Sequence, residues 1–109
     1  MTDIQLHDLE SNWSESTDDP LTLHASDDPQ AKTGSFVIEP SERVPEEGTT
    51  SHSGDELSVI LSGEIEVITE KSHTVGEGTL SVIPAGVEHC SVNHGDEPVR
   101  LVYTILGEL

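Results

Sequence analysis

The sequence predicts an all-β fold, either a sandwich or a barrel, and two patterns lead to that prediction. After Gly34, short runs of Val, Ile and Leu are separated by turn-forming residues about every 8 to 12 residues, as in sandwiches and barrels. No segment shows the three- and four-residue apolar spacing of an amphipathic helix. Only 32% of the residues are hydrophobic and 3% are aromatic, so the core must be built from Val, Ile and Leu, which favour strands.

The chain has 109 residues, which is long enough for one domain with a single core and too short for two. We divide it into an acidic N-terminal arm, residues 1–33, that packs on the body, and a β-barrel domain, residues 34–109. The arm contains two weak candidate strands, at 4–6 and 21–23. Trp13 is expected to anchor the arm by packing, and stacking of its ring on a ligand is the alternative.

The barrel domain is expected to contain six strands joined by turns rich in Gly, Pro and Asn. The turn at Ser62-Gly63 lies between two apolar runs and predicts a β-hairpin between them. The expected strands span residues 36–38, 57–61, 64–67, 80–83, 88–92 and 99–106.

The chain is strongly acidic: it contains 22 acidic and 4 basic residues, and its formal net charge is -18. Such self-repulsion destabilises a compact chain unless salt screens it, and at 1 M salt the Debye length falls to about 3 Å. We therefore expect an extreme halophile, whose cytoplasm is itself concentrated in salt. Intrinsic disorder is the alternative explanation of this composition, and the strand patterns after Gly34 argue against it there.

The composition also limits the partners and the location. An acidic surface repels the phosphate backbone of nucleic acids and the head groups of anionic membranes, so neither is an expected partner. Cys90 is the single cysteine, which excludes an internal disulfide framework and fits a reducing compartment. Residues 1–4 lack the features of a signal peptide, and no apolar run approaches the ~20 residues that span a bilayer. We expect a cytoplasmic protein.

Two histidines and a carboxylate form a candidate metal site. His52 precedes Glu56 by four residues, just ahead of an apolar run, and His89 follows the turn Pro84-Ala85-Gly86. A straight strand would separate His52 from Glu56 by ~13 Å, so a bend is needed, and Gly54 can supply it. Imidazole and carboxylate ligands suit Fe(II), Mn(II), Ni(II) or Zn(II), and two histidines with one carboxylate are typical of non-haem iron sites.

The second half of this pattern resembles a known family motif. Gly78, Pro84, Gly86, His89 and Asn93 match every fixed position of the second cupin motif, G-x5-P-x-G-x2-H-x3-N. The resemblance extends from about residue 48 to the C-terminus. It implies a cupin jelly-roll β-barrel, commonly dimeric, with a divalent metal bound inside by the motif histidines and glutamate.

The first cupin motif, G-x5-H-x-H-x3,4-E-x6-G, is matched only in its later half, by His52, Glu56 and Gly63. Thr50 stands where the family has its first histidine, and Val44 where it has its leading glycine. A threonine hydroxyl is a poor substitute for imidazole. The resemblance therefore implies a site with three protein ligands and a metal affinity below that of a full four-ligand site, or no metal at all.

Four residues around the candidate ligands carry further expectations. Asp55 is expected to face away from the metal into solvent, and Cys90 to be a buried apolar thiol. Asn93 is expected to hold its turn through bonds from its side chain to the backbone. His94 is either a solvated turn residue or a substitute for the missing ligand.

The inward direction of the ligands also predicts an assembly. If the ligand face is the barrel interior, Leu57, Val59 and Leu61 form an apolar row outside, which a soluble monomer seldom leaves bare. We expect a homodimer, with cover by the N-terminal arm as the alternative.

Two functional classes remain open from the sequence. One is a metal-dependent enzyme acting on a small molecule, such as an oxygenase, isomerase or lyase, with His52, Glu56 and His89 as ligands. The other is a noncatalytic module that binds or senses a small ligand in the same pocket. Few aromatic residues are available to line that pocket, which favours a small polar ligand.

Overall fold

The computed structural model describes residues 5–27 and 29–107. It confirms the all-β class, because the only helices in these residues are the short 3₁₀ turns Leu9–Ser11 and Trp13–Glu15. The strands are β1 (Leu21–Asp27), β2 (Gln30–Ile38), β3 (Arg43–Val44), β4 (Glu56–Ser62), β5 (Glu64–Ile68), β6 (Ser72–Gly76), β7 (Leu80–Ile83), β8 (Cys90–Val92) and β9 (Val99–Leu106).

The strands form two antiparallel sheets that face each other, the jelly-roll arrangement that the sequence predicted. One sheet has the order β1-β2-β9-β4-β7 and the other the order β3-β8-β5-β6. Ile60 and Val99 from the first sheet and Ile65 from the second lie in the core and are almost fully buried. The aliphatic core is thus assembled from the inward faces of both sheets, as their alternating patterns require.

The hairpin expected at Ser62-Gly63 is not formed, and that prediction is wrong. β4 pairs with β7 and β9, whereas β5 pairs with β6 and β8, so the chain crosses from one sheet to the other at Gly63. Gly63 has φ +86°, and a Cβ there would lie 2.9 Å from the carbonyl oxygen of Pro98. The glycine permits a sharp corner against the neighbouring chain, and the corner places the apolar faces of both strands in one core.

The segment assigned to the arm contributes strands as well as a cover. β1 contains the strand expected at 21–23, and the boundary at 33/34 falls inside β2. Of the other expected strand, at 4–6, residue 4 lies outside the described residues. Before β1, Trp13 is 6% exposed and packs under the guanidinium of Arg100, 5.6 Å from its ring centroid. This part of the arm covers the outer face of β2 and β9.

Part of the outer face of the five-stranded sheet stays apolar and open in the single chain. Leu57 pairs with Val82 and Val59 with Leu80 across β4 and β7. Leu80 is 57% exposed and Val82 is 52% exposed. We expect a second copy of the chain to cover this row, because burial of exposed apolar surface drives association. Sedimentation velocity in molar KCl should then show a dimer, and a monomer at all concentrations would contradict this.

None of the helices in the described residues is long and apolar enough to cross a membrane.

Candidate functional site

A cavity of about 270 Å³ lies between the two sheets. At ~30 Å³ per molecule, this is the space of about nine waters, below the ~300–1,000 Å³ of pockets for drug-sized ligands. Its wall is mostly apolar in area, with residues such as Phe36, Ile60 and Val75. Polar side chains interrupt this apolar wall at several places, and the volume suits one small molecule.

All three predicted ligands line this cavity, and each reaches it from a different segment. Glu56 is the first residue of β4 and faces inward, in register with buried Ile105 and Ile83 on its two neighbours. His52 comes from the loop before β4, and His89 from the segment that leads into β8. The strands thus bring together residues 37 positions apart in the chain, from 52 to 89.

The distances between the donor atoms fit a shared metal ion. Glu56 Oε1 lies 3.0 Å from His52 Nε2 and 3.8 Å from His89 Nε2. The three donor atoms lie within 4.8 Å of one another. Two ligands bound at ~2.1 Å and at angles of 90–109° are about 3.0–3.4 Å apart, so small movements would complete the coordination. The donor chemistry, two imidazole nitrogens and a carboxylate oxygen, also suits a divalent transition metal.

His89 is held in the tautomer that a metal ligand needs. Its Nδ1 lies 3.0 Å from the carbonyl oxygen of Val87. A carbonyl can only accept, so Nδ1 carries the hydrogen and Nε2 presents its lone pair towards Glu56. His89 is 3% exposed, which keeps this orientation fixed by packing.

The loop that carries His52 is tied to the turn before His89. The amide of Gly86 donates to the carbonyl oxygen of His52 at 2.8 Å, and the amide of Ala85 donates to Asp55 Oδ1 at 2.9 Å. A Cβ on Gly54 would lie 1.8 Å from the carbonyl oxygen of Leu106, so only glycine lets the loop approach β9 this closely. The bend expected at Gly54 is therefore present, and it replaces the straight strand that would keep His52 and Glu56 apart.

Asp55 does more than the sequence predicted. It lies outside the donor cluster and stays partly exposed, and its carboxylate also accepts a backbone hydrogen bond from the turn at 84–86. The alternation of a strand predicted its direction correctly, while the partner comes from residue 85, thirty positions along the chain. Asp55 thus positions the two ligand-bearing loops relative to each other.

Thr50 lies opposite His89 and lines the cavity. The two residues exchange both backbone hydrogen bonds, at 2.9 Å each. Directly paired residues of an antiparallel bridge carry their side chains on one face, so the position of the family's first histidine does adjoin the metal site. In this chain a hydroxyl stands there in place of an imidazole.

His94 does not substitute for that ligand. It is 68% exposed and its Nε2 lies 2.6 Å from Glu66 Oε1, outside the donor cluster. Hydrogen bonds from Ser72 and then from His94 lower the pKa of Glu66. His94 therefore belongs to a surface group on the other side of β5, as the solvated-turn alternative expected.

Asn93 and Cys90 behave as the sequence predicted. The Asn93 amide donates to the carbonyl oxygens of Ile38 at 2.9 Å and Glu97 at 2.8 Å, and its Oδ1 accepts from the amide of Gly95 at 2.9 Å. Asn93 is fully buried, so these bonds fix the turn after β8 from inside the protein. Cys90 is a free, buried thiol on the strand that follows His89.

Two further titratable residues of the cavity wall lie outside the predicted ligand set. Tyr103 on β9 lines the cavity and is 6% exposed, and its hydroxyl has no hydrogen-bond partner among the described residues. Burial raises the pKa of this phenol. The nearby Thr22 side chain lowers the pKa by a smaller amount, although it is not within normal hydrogen-bonding geometry, and the charge of Glu56 raises it further. Lys32 on β2 lines the same cavity. It was missed because it lies in the segment that we assigned to the arm.

Comparison with known proteins agrees with this architecture. The Cupin_2 family, described as a cupin domain, matches residues 34–105. No curated protein matches the sequence.

Several solved structures share the fold. A conserved protein with a double-stranded β-helix domain from Klebsiella pneumoniae subsp. pneumoniae is 15% identical, with a TM-score of 0.78 over 95% of this chain and 90% of that chain. A conserved protein of unknown function from Streptococcus pyogenes is 22% identical, with a TM-score of 0.73 over 100% and 92%. The Cupin_2 domain of an XRE family transcriptional regulator from Enterobacter cloacae is 19% identical, with a TM-score of 0.71 over 83% and 96%.

Because the sequence identities are this low, the structural matches support the fold alone. The family match is a match of the sequence itself: it covers well over half of the chain and includes all three candidate ligands. On these grounds the chain belongs to the cupin family.

Proposed function

We propose that this protein binds one divalent metal ion through His52, Glu56 and His89 and uses it to act on a small molecule held in the cavity. The observation that supports this most strongly is the geometry of the donor atoms, which lie within 4.8 Å of one another at the wall of a partly open, mostly apolar cavity. Iron, manganese, nickel and zinc all accept this donor set.

Three protein ligands would leave coordination positions of a bound metal free for a small molecule. When bound, the metal would supply a Lewis acid that polarises a substrate oxygen, as in oxygenases, isomerases and lyases. The chain's own residues hold the ligand geometry, orient the small molecule and exclude water through the aliphatic wall. Glu56 serves as a ligand and is not available as a base.

A noncatalytic role in binding or sensing is the second candidate. Besides the three ligands, the only titratable residues among the described ones in the cavity wall are Lys32 and Tyr103. Apart from the three candidate ligands, the described residues of the wall thus include no carboxylate or histidine that could act as a general base. The Enterobacter cloacae neighbour, a domain of a transcriptional regulator, is an example of this fold outside an enzyme.

Metal analysis of protein purified without chelators tests the first step. We expect about one metal ion per chain in the wild type and less than about 0.1 in the His52→Ala, His89→Ala variant, because one carboxylate cannot hold a transition metal alone. His94→Ala is the matched control and should keep its metal, since His94 lies outside the donor cluster. Equal and negligible metal in the wild type and the double variant would end the metal hypothesis.

Thr50→His tests the vacant ligand position. Because Thr50 pairs directly with His89 and lines the cavity, the new imidazole should reach the metal and raise affinity at least about tenfold, or ~1.4 kcal/mol. Competition with a chromogenic chelator measures this. Unchanged affinity in a folded Thr50→His variant would show that the position lies outside the coordination sphere.

The two functional candidates separate by what the metal-loaded protein does with its ligand. A metabolite retained through purification and released unchanged on unfolding favours the binding module. Its chemical conversion on incubation with the metal-loaded protein favours the enzyme. Native mass spectrometry followed by metabolite analysis distinguishes these outcomes.

A further inference from the structure

The cavity has a second polar end, formed by Lys32 and the hydroxyl of Tyr103. Lys32 is paired with Ile105 on β9, and Ile105 is paired with Glu56 on β4. Residues in direct register share a face of the sheet, so Lys32 and Glu56 stand in one inward-facing row, two strands apart. With strands ~4.8 Å apart, their Cα atoms are separated by about 10 Å.

Tyr103 points towards the same end as Lys32. Its cross-strand partner on β2 is Gly34, and a Cβ on Gly34 would lie 2.7 Å from the Tyr103 hydroxyl oxygen. The phenol therefore extends from β9 over β2, into the space that the glycine leaves open. Lys32 is two residues from Gly34 on the same face of the same strand, and both Lys32 and Tyr103 line the cavity.

Both groups lack partners within the described residues. Lys32 forms no ion pair there, although the chain has 22 acidic residues, and it is not bonded to Glu56. The Tyr103 hydroxyl is buried without a hydrogen bond. Lys32 is only partly buried, so water can solvate its ammonium, whereas a buried hydroxyl without a partner, such as that of Tyr103, calls for a ligand or another specific explanation.

The other basic residues are placed differently. Arg43 donates to the carbonyl oxygens of Pro45 and Gly48, and Arg100 packs on Trp13. Lys71 is exposed between β5 and β6. Lys32 is thus the one cation among the described residues that lines the cavity.

From this arrangement we infer that the cavity takes a small carboxylate with a short aliphatic body, whose carboxylate is bound by Lys32 and the Tyr103 hydroxyl. The aliphatic walls contact the body, and the opposite end of the molecule faces His52, Glu56 and His89. The inference rests on the proposed function for the role of that opposite end, while recognition of the carboxylate depends on Lys32 and Tyr103 alone.

The charges are consistent with an anionic ligand inside an acidic protein. Glu56 is the only acidic residue among the described ones in the cavity wall, and a divalent metal would more than neutralise it. Lys32 adds a second positive charge at the cavity wall, and its attraction for a carboxylate is strengthened to the extent that the cavity excludes water. The negative outer surface opposes entry only over the Debye length, which high salt shortens.

The test uses acetate, propionate and butyrate, each compared with its neutral amide, in isothermal titrations at one fixed KCl concentration. Chelator-treated protein serves for the deciding comparison, so that no metal can hold the carboxylate. We expect at least one acid to bind the wild type more tightly than its amide does. Lys32→Met should weaken that acid about 10- to 100-fold, as expected for loss of a charged hydrogen bond, and leave the amide unchanged.

Lys71→Met is the matched control, because it removes the same charge from the exposed surface and should leave affinity for the acid unchanged. Tyr103→Phe should weaken the acid about 2- to 10-fold while stability stays equal or rises, since the variant removes a hydroxyl that has no partner in the free protein. A purely structural role for Tyr103 would instead lower stability and spare the affinity.

Two results would overturn the inference. One is that no acid binds the wild type better than its amide, and the other is equal affinity of the acid for the wild type and Lys32→Met. Metal content is measured separately, so failure of the metal proposal would appear there without affecting these comparisons.

Discussion

Replacing Asn93 with alanine is expected to lower the free energy of unfolding by about 3–5 kcal/mol. The amide of Asn93 satisfies the carbonyl oxygens of Ile38 and Glu97, and its oxygen satisfies the amide of Gly95, all from a fully buried position. Removing a buried partner costs about 1–3 kcal/mol for each group that is left without a hydrogen bond. The three bonds join β2 to the turn between β8 and β9, so their loss affects both sheets.

Urea denaturation of the wild type and Asn93→Ala, in the same high-salt buffer, measures this difference. Asn12→Ala is a matched control, because Asn12 makes no side-chain capping bond to its 3₁₀ turn and its replacement should cost less than about 0.5 kcal/mol. A loss below about 1 kcal/mol in Asn93→Ala would show that water or a backbone shift replaces the three bonds.

Raising KCl from 0.05 M to 2 M is expected to stabilise the fold by about 2–4 kcal/mol, which corresponds to a rise of roughly 10–25 °C in Tm for a domain of this size. The net charge of -18 is confined to a protein whose Cα radius of gyration is 13.8 Å, so the acidic groups repel one another strongly at low salt. Screening weakens that repulsion, and it acts more on the compact state than on the expanded chain.

Thermal unfolding followed by circular dichroism at several KCl concentrations measures the effect. Sucrose at matched osmolality is the control, because it favours compact states by exclusion without screening charge. Equal Tm values in dilute and concentrated KCl would contradict the halophilic interpretation of the composition. A rise that sucrose reproduces would show that screening is not the cause.

The candidate metal ligands were predictable because they lie in a motif whose spacing is preserved in the sequence. His52, Glu56 and His89 were identified by their types and positions, and Thr50 by the departure from that motif; the structure places all four at one cavity. The turn-holding bonds of Asn93 and the burial of Cys90 were also predicted from the local sequence. Short-range spacing was sufficient here because a sequence motif describes a set of residues that the same fold brings together each time it forms.

The hairpin error has a different origin. A glycine turn between two apolar runs describes both a hairpin and a corner between sheets, since each needs positive φ and two amphipathic strands. At Gly63 the choice depends on β6, β7, β8 and β9, which provide the actual partners of β4 and β5. Local sequence contains no information about those distant pairings.

By itself, the sequence determined that this protein is all-β and strongly acidic, and that His52, Glu56 and His89 are candidate metal ligands with Thr50 at the position of a fourth. Only the tertiary structure decided that Asp55 joins two ligand loops, that the chain changes sheets at Gly63, and that Lys32 lines the cavity. The physical reason is register: alternation along one strand sets which way a side chain points, but only hydrogen bonding between strands sets what it meets.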